Sequence, residues 1–314
     1  MIQNIVIAGG GNVGSRVAFQ AAFKGFNTTI WLRSSNFFDE TKAKLEMLKK
    51  TYVDTITLMS SPEGKNSANW ANGIAEYDKF NEAECFARVE QASASIQLET
   101  NLAAAVAHAD LVLEAIPEDF DTKCTFFEML APLLPEKTIV VTSSSTVLPS
   151  KYVKSIKRGD RFLALNFSNI LFRNNSAEIM AHDGTANQTY SAVLEFTRSL
   201  GMVPLSVRKE NKGFLMDAMM TPFLMSALDM YARGVSDIRS IDQSWTIGTR
   251  SPRGPFEIID SIGLDAFYDV VQSYCKKPSF TTPYDYRRIA KVLRQYIENG
   301  KLGKVTGEGF YKYQ

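Results

Sequence analysis

The chain is poor in histidine: 314 residues contain only His108 and His182, so a histidine-built metal centre is not expected. Cysteine is scarce as well. Cys85, Cys124 and Cys275 are an odd, widely separated set with no C-x-x-C pair, which reads as reduced, packed thiols and not as a disulfide framework. No apolar run approaches the roughly 20 residues of a membrane-spanning helix, and no membrane partner is expected. No cationic signal segment precedes the first apolar run, which points to a cytoplasmic protein with nothing to be cleaved off. Neither sign of charge dominates. With 35 basic and 34 acidic residues the net charge is +1, which argues against nucleic acid as the main partner. The apolar content of 45% is ordinary for a globular protein, and the length allows two domains with sizeable cores.

What is abundant comes first in the chain. The run Ile5-Val6-Ile7-Ala8 stops at Gly9-Gly10-Gly11, and apolar residues of helical spacing (Val13, Val17, Ala21) continue up to Gly25. This reads as strand, tight turn and helix, with Gly9, Gly11 and Gly14 at G-x-G-x-x-G spacing. Gly9 permits the sharp turn, Gly11 admits a pyrophosphate to the backbone, and Gly14 lets helix and strand approach closely. The helix N-terminus at Asn12 and Val13 then offers unpaired N–H groups to the phosphates. The expectation is dinucleotide binding.

A second strand at 28–32 completes a strand–helix–strand unit. In an NAD-binding unit of this kind the second strand usually ends in an acid that accepts hydrogen bonds from the ribose hydroxyls. Here the run is Trp31-Leu32-Arg33-Ser34-Ser35. Arg33 can pair with a 2′-phosphate and the serines can donate to it, so NADP is favoured over NAD.

Further strands are expected at 95–98, 110–115, 138–142, 161–165, 177–180 and 203–207. Helices are expected at 39–56, 74–89, 102–108 and 187–200, with another containing Lys123, and 60–72 reads as a loop. Loops after parallel strands lie at the ligand-binding edge of such sheets, which makes Glu118 and Lys123 candidates for the nicotinamide end of the site; for the serines at 143–145, helix capping before Pro149 and a hydroxyl facing the ligand both stay open, with Ser143 the cofactor-binding candidate. From Asn211 the character changes. Residues 213–231 are apolar on nearly every face, and the remainder of the chain reads helical, with a polar, aromatic stretch at 277–286. The expected architecture is an α/β Rossmann-type doubly wound sheet over 1–209 followed by an all-α domain over 210–314. Burial of 213–231 within its own domain and burial in a subunit interface both stay open.

Several stretches in order resemble the L-3-hydroxyacyl-CoA dehydrogenase family over nearly the whole chain. They are the glycine turn at 9–14, Glu114-Ala115-Ile116-Pro117-Glu118, Ser143-Ser144-Ser145-Thr146, Arg161-Phe162-Leu163-Ala164-Leu165-Asn166-Phe167, Gly254-Pro255-Phe256-Glu257 and the Gly-Glu-Gly-Phe-Tyr ending. Within the family, Asn174-Asn175-Ser176-Ala177-Glu178-Ile179-Met180 is most similar to diketoreductases and 3-hydroxybutyryl-CoA dehydrogenase homologues. The resemblance implies hydride transfer between a nicotinamide cofactor and a 3-hydroxy or 3-oxo acyl compound, and a homodimer formed through the helical domain. It implies a serine and an asparagine holding the substrate oxygen, and a histidine, oriented by a glutamate, exchanging the proton.

Ser145 falls on the serine position and Glu178 on the glutamate position. The histidine position holds Asn166 and the asparagine position holds Asp217, while Leu32 stands where the ribose acid is expected. Asparagine can hold an oxygen but exchanges no proton at neutral pH. Two readings are open. In one, Glu178 manages the proton, joined by Asp217 where the two lie close enough to raise each other's pKa; Asp217 as a helix-face acid paired elsewhere stays open beside it. In the other, the chain binds dinucleotide but has lost turnover.

Overall fold

The computed structural model describes residues 2–65, 70–275 and 283–313. The chain divides into two compact units, Met1–Leu215 and Met216–Gln314.

In the first unit the elements are β1 (Asn4–Ala8), α1 (Asn12–Phe23), β2 (Asn27–Trp31), α2 (Phe38–Ser60), α3 (Glu82–Ser95), β3 (Gln97–Glu99), α4 (Leu102–Val106), β4 (Leu111–Glu114) and α5 (Phe120–Leu130). They continue with β5 (Ile139–Thr142), α6 (Val153–Ile156), β6 (Phe162–Phe167), β7 (Ser176–Met180), α7 (Asn187–Ser199) and β8 (Val203–Val207). The strands form one eight-stranded sheet in the order β3-β2-β1-β4-β5-β6-β7-β8. Only β6 and β7 run antiparallel to each other. The strand order reverses at β1, which leaves a crevice beyond the carboxyl ends of β1 and β4.

Every residue of β4 and β5 is buried, as expected for parallel strands covered on both faces. Ile5, Ile7, Leu111, Leu113 and Val141 pack on one face against α1, α2, α3 and α7, while Val6, Ala8, Val112 and Val140 pack on the other against α4 and α5. The alternation along each strand therefore builds two core layers around one sheet.

Two expectations change. The helix expected at 74–89 begins only at Glu82, because extended Phe80 breaks the run and Asn81 caps α3 by accepting from the Glu84 N–H at 3.1 Å. Within the loop expected at 60–72, residues 66–69 lie outside the described residues, and Trp70 is buried. Glu210–Leu215 belongs to the first unit, where Glu210 accepts from the Ser150 N–H at 2.8 Å and the Asn211 amide donates to the Phe214 carbonyl at 2.6 Å.

The second unit contains α8 (Met216–Ala232), α9 (Ile238–Thr249), α10 (Pro255–Ile262), α11 (Leu264–Cys275) and α12 (Tyr286–Glu298) around Leu224, Leu228, Phe256, Ile259, Phe267, Ile289 and Leu293. The Gly-Pro-Phe-Glu motif is a helix start. Pro255 occupies the first turn, the Gly254 N–H donates to Glu257 at 3.1 Å, and Asp242 accepts from the Phe256 N–H at 2.9 Å. Asp260 fixes the chain's ending by accepting from the N–H groups of Phe310 (2.8 Å) and Tyr311 (2.9 Å) and from the Tyr313 hydroxyl (2.7 Å). The start of α8 is not enclosed as its composition suggests: Met216 and Met219 are 54% and 64% exposed. Of the stretch at 277–286, residues 277–282 lie outside the described residues, and Tyr286 opens α12.

Candidate active site

The glycine turn lies at the point where the sheet order reverses. Gly9 has φ +115°, and a Cβ there would come 2.6 Å from the Ala115 carbonyl oxygen beyond β4. A Cβ on Gly14 would lie 1.9 Å from the Gly9 oxygen, so helix and turn touch backbone to backbone. Gly11 is different. A Cβ there meets nothing within 4 Å, so the fold itself places no demand for glycine at this position. Gly11 is the N-cap of α1 and no side chain caps the helix, so the N–H groups of its first turn, which begins at the exposed Asn12 and Val13, have no side-chain acceptor. An open glycine before an uncapped, exposed helix start fits the pyrophosphate of a dinucleotide.

The end of β2 carries no acid. Leu32 is 4% exposed and turned inward, where a Cβ on Gly10 would come 2.8 Å from its Cδ2. Arg33 is exposed, with its guanidinium carbon 4.9 Å from the centre of the Phe37 ring, and among the described residues no carboxylate pairs with it. The Ser34 hydroxyl oxygen accepts from the Asn36 N–H at 3.2 Å, which leaves its own proton to donate.

The loops after β4 and β5 are joined by charge. Lys123, expected to line the nicotinamide end, is 1% exposed. Its ammonium donates to Glu114 Oε1 at 2.6 Å and to the Ile116 carbonyl at 3.3 Å, and stands 3.1 Å from Glu118 Oε2. All three of its protons are thus directed to protein oxygens, and Lys123 is a buried support of the loop instead of an open lining group. Glu114, fully buried at the end of β4, also accepts from the Ile116 N–H (2.9 Å) and the Thr142 hydroxyl (2.5 Å). Burial pushes its carboxyl up, against the pull of Lys123 and of these donors.

Glu118 Oε1 accepts from the hydroxyls of Ser144 and Thr146, both at 2.6 Å, and from the Thr146 N–H at 3.2 Å. Partial burial raises its pKa, but these hydroxyls and Lys123 outweigh it and hold the carboxyl below its usual range. Ser144 is therefore turned inward. Ser143 and Ser145 are half-buried, and their hydroxyls have no protein partner among the described residues.

Asn166 and Glu178 lie opposite each other in the antiparallel β6–β7 ladder. Directly opposed residues share a face with Cβ atoms about 4.5–5.5 Å apart. Glu178 is 5% exposed and accepts from the Leu215 N–H at 3.0 Å. Two residues earlier, the Gly213 N–H donates to the Ser145 carbonyl at 3.0 Å. Gly213 and Phe214 both have positive φ (+75° and +51°), so this connector makes a tight left-handed turn that binds the serine loop and the glutamate together. The connector's part in the site was missed from the sequence, where only the pairing of a glycine with a residue of positive φ could have signalled it. Asp217 belongs to the second unit, in the first turn of α8. It is exposed, and partial desolvation pushes its carboxyl up.

Comparison with known proteins gives the same outline. Residues 4–211 match the 3-hydroxyacyl-CoA dehydrogenase NAD binding domain, and residues 213–313 match the 3-hydroxyacyl-CoA dehydrogenase C-terminal domain. The chain belongs to the 3-hydroxyacyl-CoA dehydrogenase family. As a member it is an oxidoreductase that works with a nicotinamide dinucleotide. It is similar to the human mitochondrial hydroxyacyl-coenzyme A dehydrogenase, at 27% identity over 100% of this chain and 92% of the human one. Among solved structures it resembles a diketoreductase described for substrate-directed dual catalysis of dicarbonyl compounds, at 36% identity, 99% coverage of both chains and a TM-score of 0.85. It also resembles (S)-3-hydroxybutyryl-CoA dehydrogenase from Ralstonia eutropha, at 25% identity, full coverage of both chains and a TM-score of 0.77. Among the described residues no helix is long and apolar enough to cross a membrane, and no group of histidines, cysteines and carboxylates is arranged to hold a metal.

Proposed function

We propose that this 3-hydroxyacyl-CoA dehydrogenase relative interconverts a 3-hydroxy and a 3-oxo acyl compound, as a CoA thioester or a free acid or ester, with Ser145, Asn166 and Glu178 as its site. The observation that carries the reading is the direct opposition of Asn166 and Glu178 on β6 and β7, beside the serine loop that Gly213 ties to the same connector. A nicotinamide dinucleotide held at the glycine turn by Gly9, Gly11 and Gly14 would supply the hydride chemistry. Ser145 donates its hydroxyl proton, and Asn166 its amide hydrogens, to the substrate oxygen, which fixes the reacting carbon and favours the charge that develops on that oxygen. Glu178 handles the proton in this reading. Gly9, Gly11, Asn12, Val13 and Gly14 hold the pyrophosphate, and Ser143 and the loop carrying Glu118 border the nicotinamide.

NADP is the preferred cofactor in this reading. Leu32 is buried where an acid would select the free ribose hydroxyl, and Arg33 with Ser34 offers an exposed cation and a hydroxyl donor for a 2′-phosphate. The protein works in the cytoplasm. It is a homodimer whose contact uses the exposed apolar side chains Met216 and Met219 of α8 and Trp245 and Ile247 of α9.

Oxidation of NADPH and NADH followed with acetoacetyl-CoA and with a 3,5-dioxo ester tests the reading. Turnover with either compound, faster with NADPH, is expected. Tight cofactor binding without turnover on both would overturn it in favour of a binding protein disabled by Asn166.

A further inference from the structure

Arg16 of α1 and Arg173 of the loop after β6 line one cavity of about 290 Å³, and none of its lining residues is acidic. Among the described residues neither arginine has a carboxylate partner. We propose that this cavity selects the substrate as a free acid, with Arg16 holding the carboxylate and the acyl tail lying on the apolar floor beside it. The inference rests on the reading given under the proposed function and names the substrate class within it.

Arg16 is half-buried and lies one helical turn beyond Asn12, on the same face of α1. It donates to the Asn169 carbonyl at 2.8 Å, a bond that aims the guanidinium at the loop after β6. Asn169 is three residues beyond Asn166, so their Cα atoms are at most about 11 Å apart. The other N–H groups of the guanidinium have no protein acceptor among the described residues, and their planar fork matches the two oxygens of a carboxylate. Arg173 is exposed and adds a second unpaired cation, whereas Lys44, the third in the lining, is engaged by Glu40 at 2.6 Å. The floor is apolar: Leu171 and Phe172 are buried core residues that reach the cavity. Met47 and Ile170, 70% and 42% exposed, carry the apolar surface out to the rim. Cations beside an apolar floor match an anion with a hydrocarbon tail, and inorganic phosphate would leave that floor uncovered. The volume is at the small end for ligand cavities, which suits a short acyl chain. A CoA thioester is uncharged at its acyl end and gives Arg16 nothing to pair there.

Steady-state kinetics with NADPH compare 3-oxohexanoate, its ethyl ester and acetoacetyl-CoA in wild type, Arg16→Ala, Arg16→Lys and Arg173→Ala. R16A is expected to raise KM for the acid at least about tenfold with little change in kcat, and to leave KM for the neutral ester within about twofold. R16K keeps the charge without the fork and recovers part of the loss. R173A removes no hydrogen bond of the fold, and a smaller rise in KM confined to the acid is expected. Equal changes for acid and ester would overturn the inference. A rise confined to acetoacetyl-CoA would place Arg16 on a CoA phosphate, and weaker NADPH binding at unchanged KM for the acid would place it on the dinucleotide; either result overturns the free-acid assignment. Titration calorimetry with hexanoate tells this failure from that of the proposed function. Hexanoate bound by wild type and not by R16A, without turnover of any of the three compounds, would sink the dehydrogenase reading and keep an acid-binding cavity. Turnover together with a wild-type affinity of R16A for hexanoate would sink the role of Arg16 alone.

Discussion

Asn166 on β6 stands directly across from Glu178 on β7, in the one antiparallel pair of an otherwise parallel sheet. A carboxylate set against an amide can orient it.

Asn166→His is expected to raise kcat by about 10²–10⁴-fold, the usual contribution of a general acid–base, because Glu178 is already placed to orient an imidazole. The pH profile should gain an ionisation near that of histidine, about 6.5. A histidine variant no faster than the wild type would show that the rest of the site is not arranged for this proton transfer.

Glu178→Gln keeps an oxygen to accept from the Leu215 N–H, so thermal stability is expected to stay close to wild type. The rate should fall by about 10²–10⁴-fold if Glu178 handles the proton. Retention of full activity in a folded E178Q protein would assign Glu178 to the connector alone.

The Asp217 carboxyl titrates above its usual range, so its acid form is complete at low pH and is lost as pH rises through that raised value. If Asp217 takes part in the proton route, the reductive rate falls with rising pH and Asp217→Asn removes this limb of the profile. An unchanged profile in D217N excludes Asp217 from the proton route.

Gly11 and Gly14 should separate cofactor binding from folding. In Gly11→Ala the added Cβ meets no protein atom, so stability stays within about 0.5 kcal/mol of wild type. NADPH affinity should nevertheless weaken by at least about tenfold, or about 1.4 kcal/mol. In Gly14→Ala the Cβ would lie 1.9 Å from the Gly9 oxygen, and the melting temperature should drop as well. Arg33→Ala completes the set: titration calorimetry should show NADPH binding weakened and NADH binding unchanged.

Acid should loosen the serine loop before it melts the sheet. Glu118 has a folded-state pKa below its unfolded value, so its contribution to stability is present above the ordinary carboxylate range and is lost as pH falls through the lowered value. Urea midpoints of wild type and E118Q should differ at pH 7 and converge once the pH falls below the lowered Glu118 value. Equal midpoints at both pH values would show that the ion pair with Lys123 adds nothing.

The strands, the helix after the glycines and the change to an all-helical second unit were legible in the sequence, because each depends on periodicity and turn chemistry within a few neighbouring residues. Gly9 and Gly14 could be read in the same way, since a positive φ and a backbone contact are local demands. The candidate site was legible only as a set of positions at strand ends. The sequence put Lys123 and Glu118 at the ligand-binding edge, and it took the packing of α5 on β4 to enclose the lysine between two carboxylates. Local pattern likewise marked 213–231 as apolar, and the tertiary structure left Met216 and Met219 at the surface. The opposition of Asn166 and Glu178, and the hydrogen bonds from Gly213 and Leu215, join residues far apart in the chain. They exist because β7 reverses direction beside β6 and the connector turns left-handed at Gly213 and Phe214. Register between strands and the path of a connector are decided by the whole sheet, and no short stretch of sequence contains them.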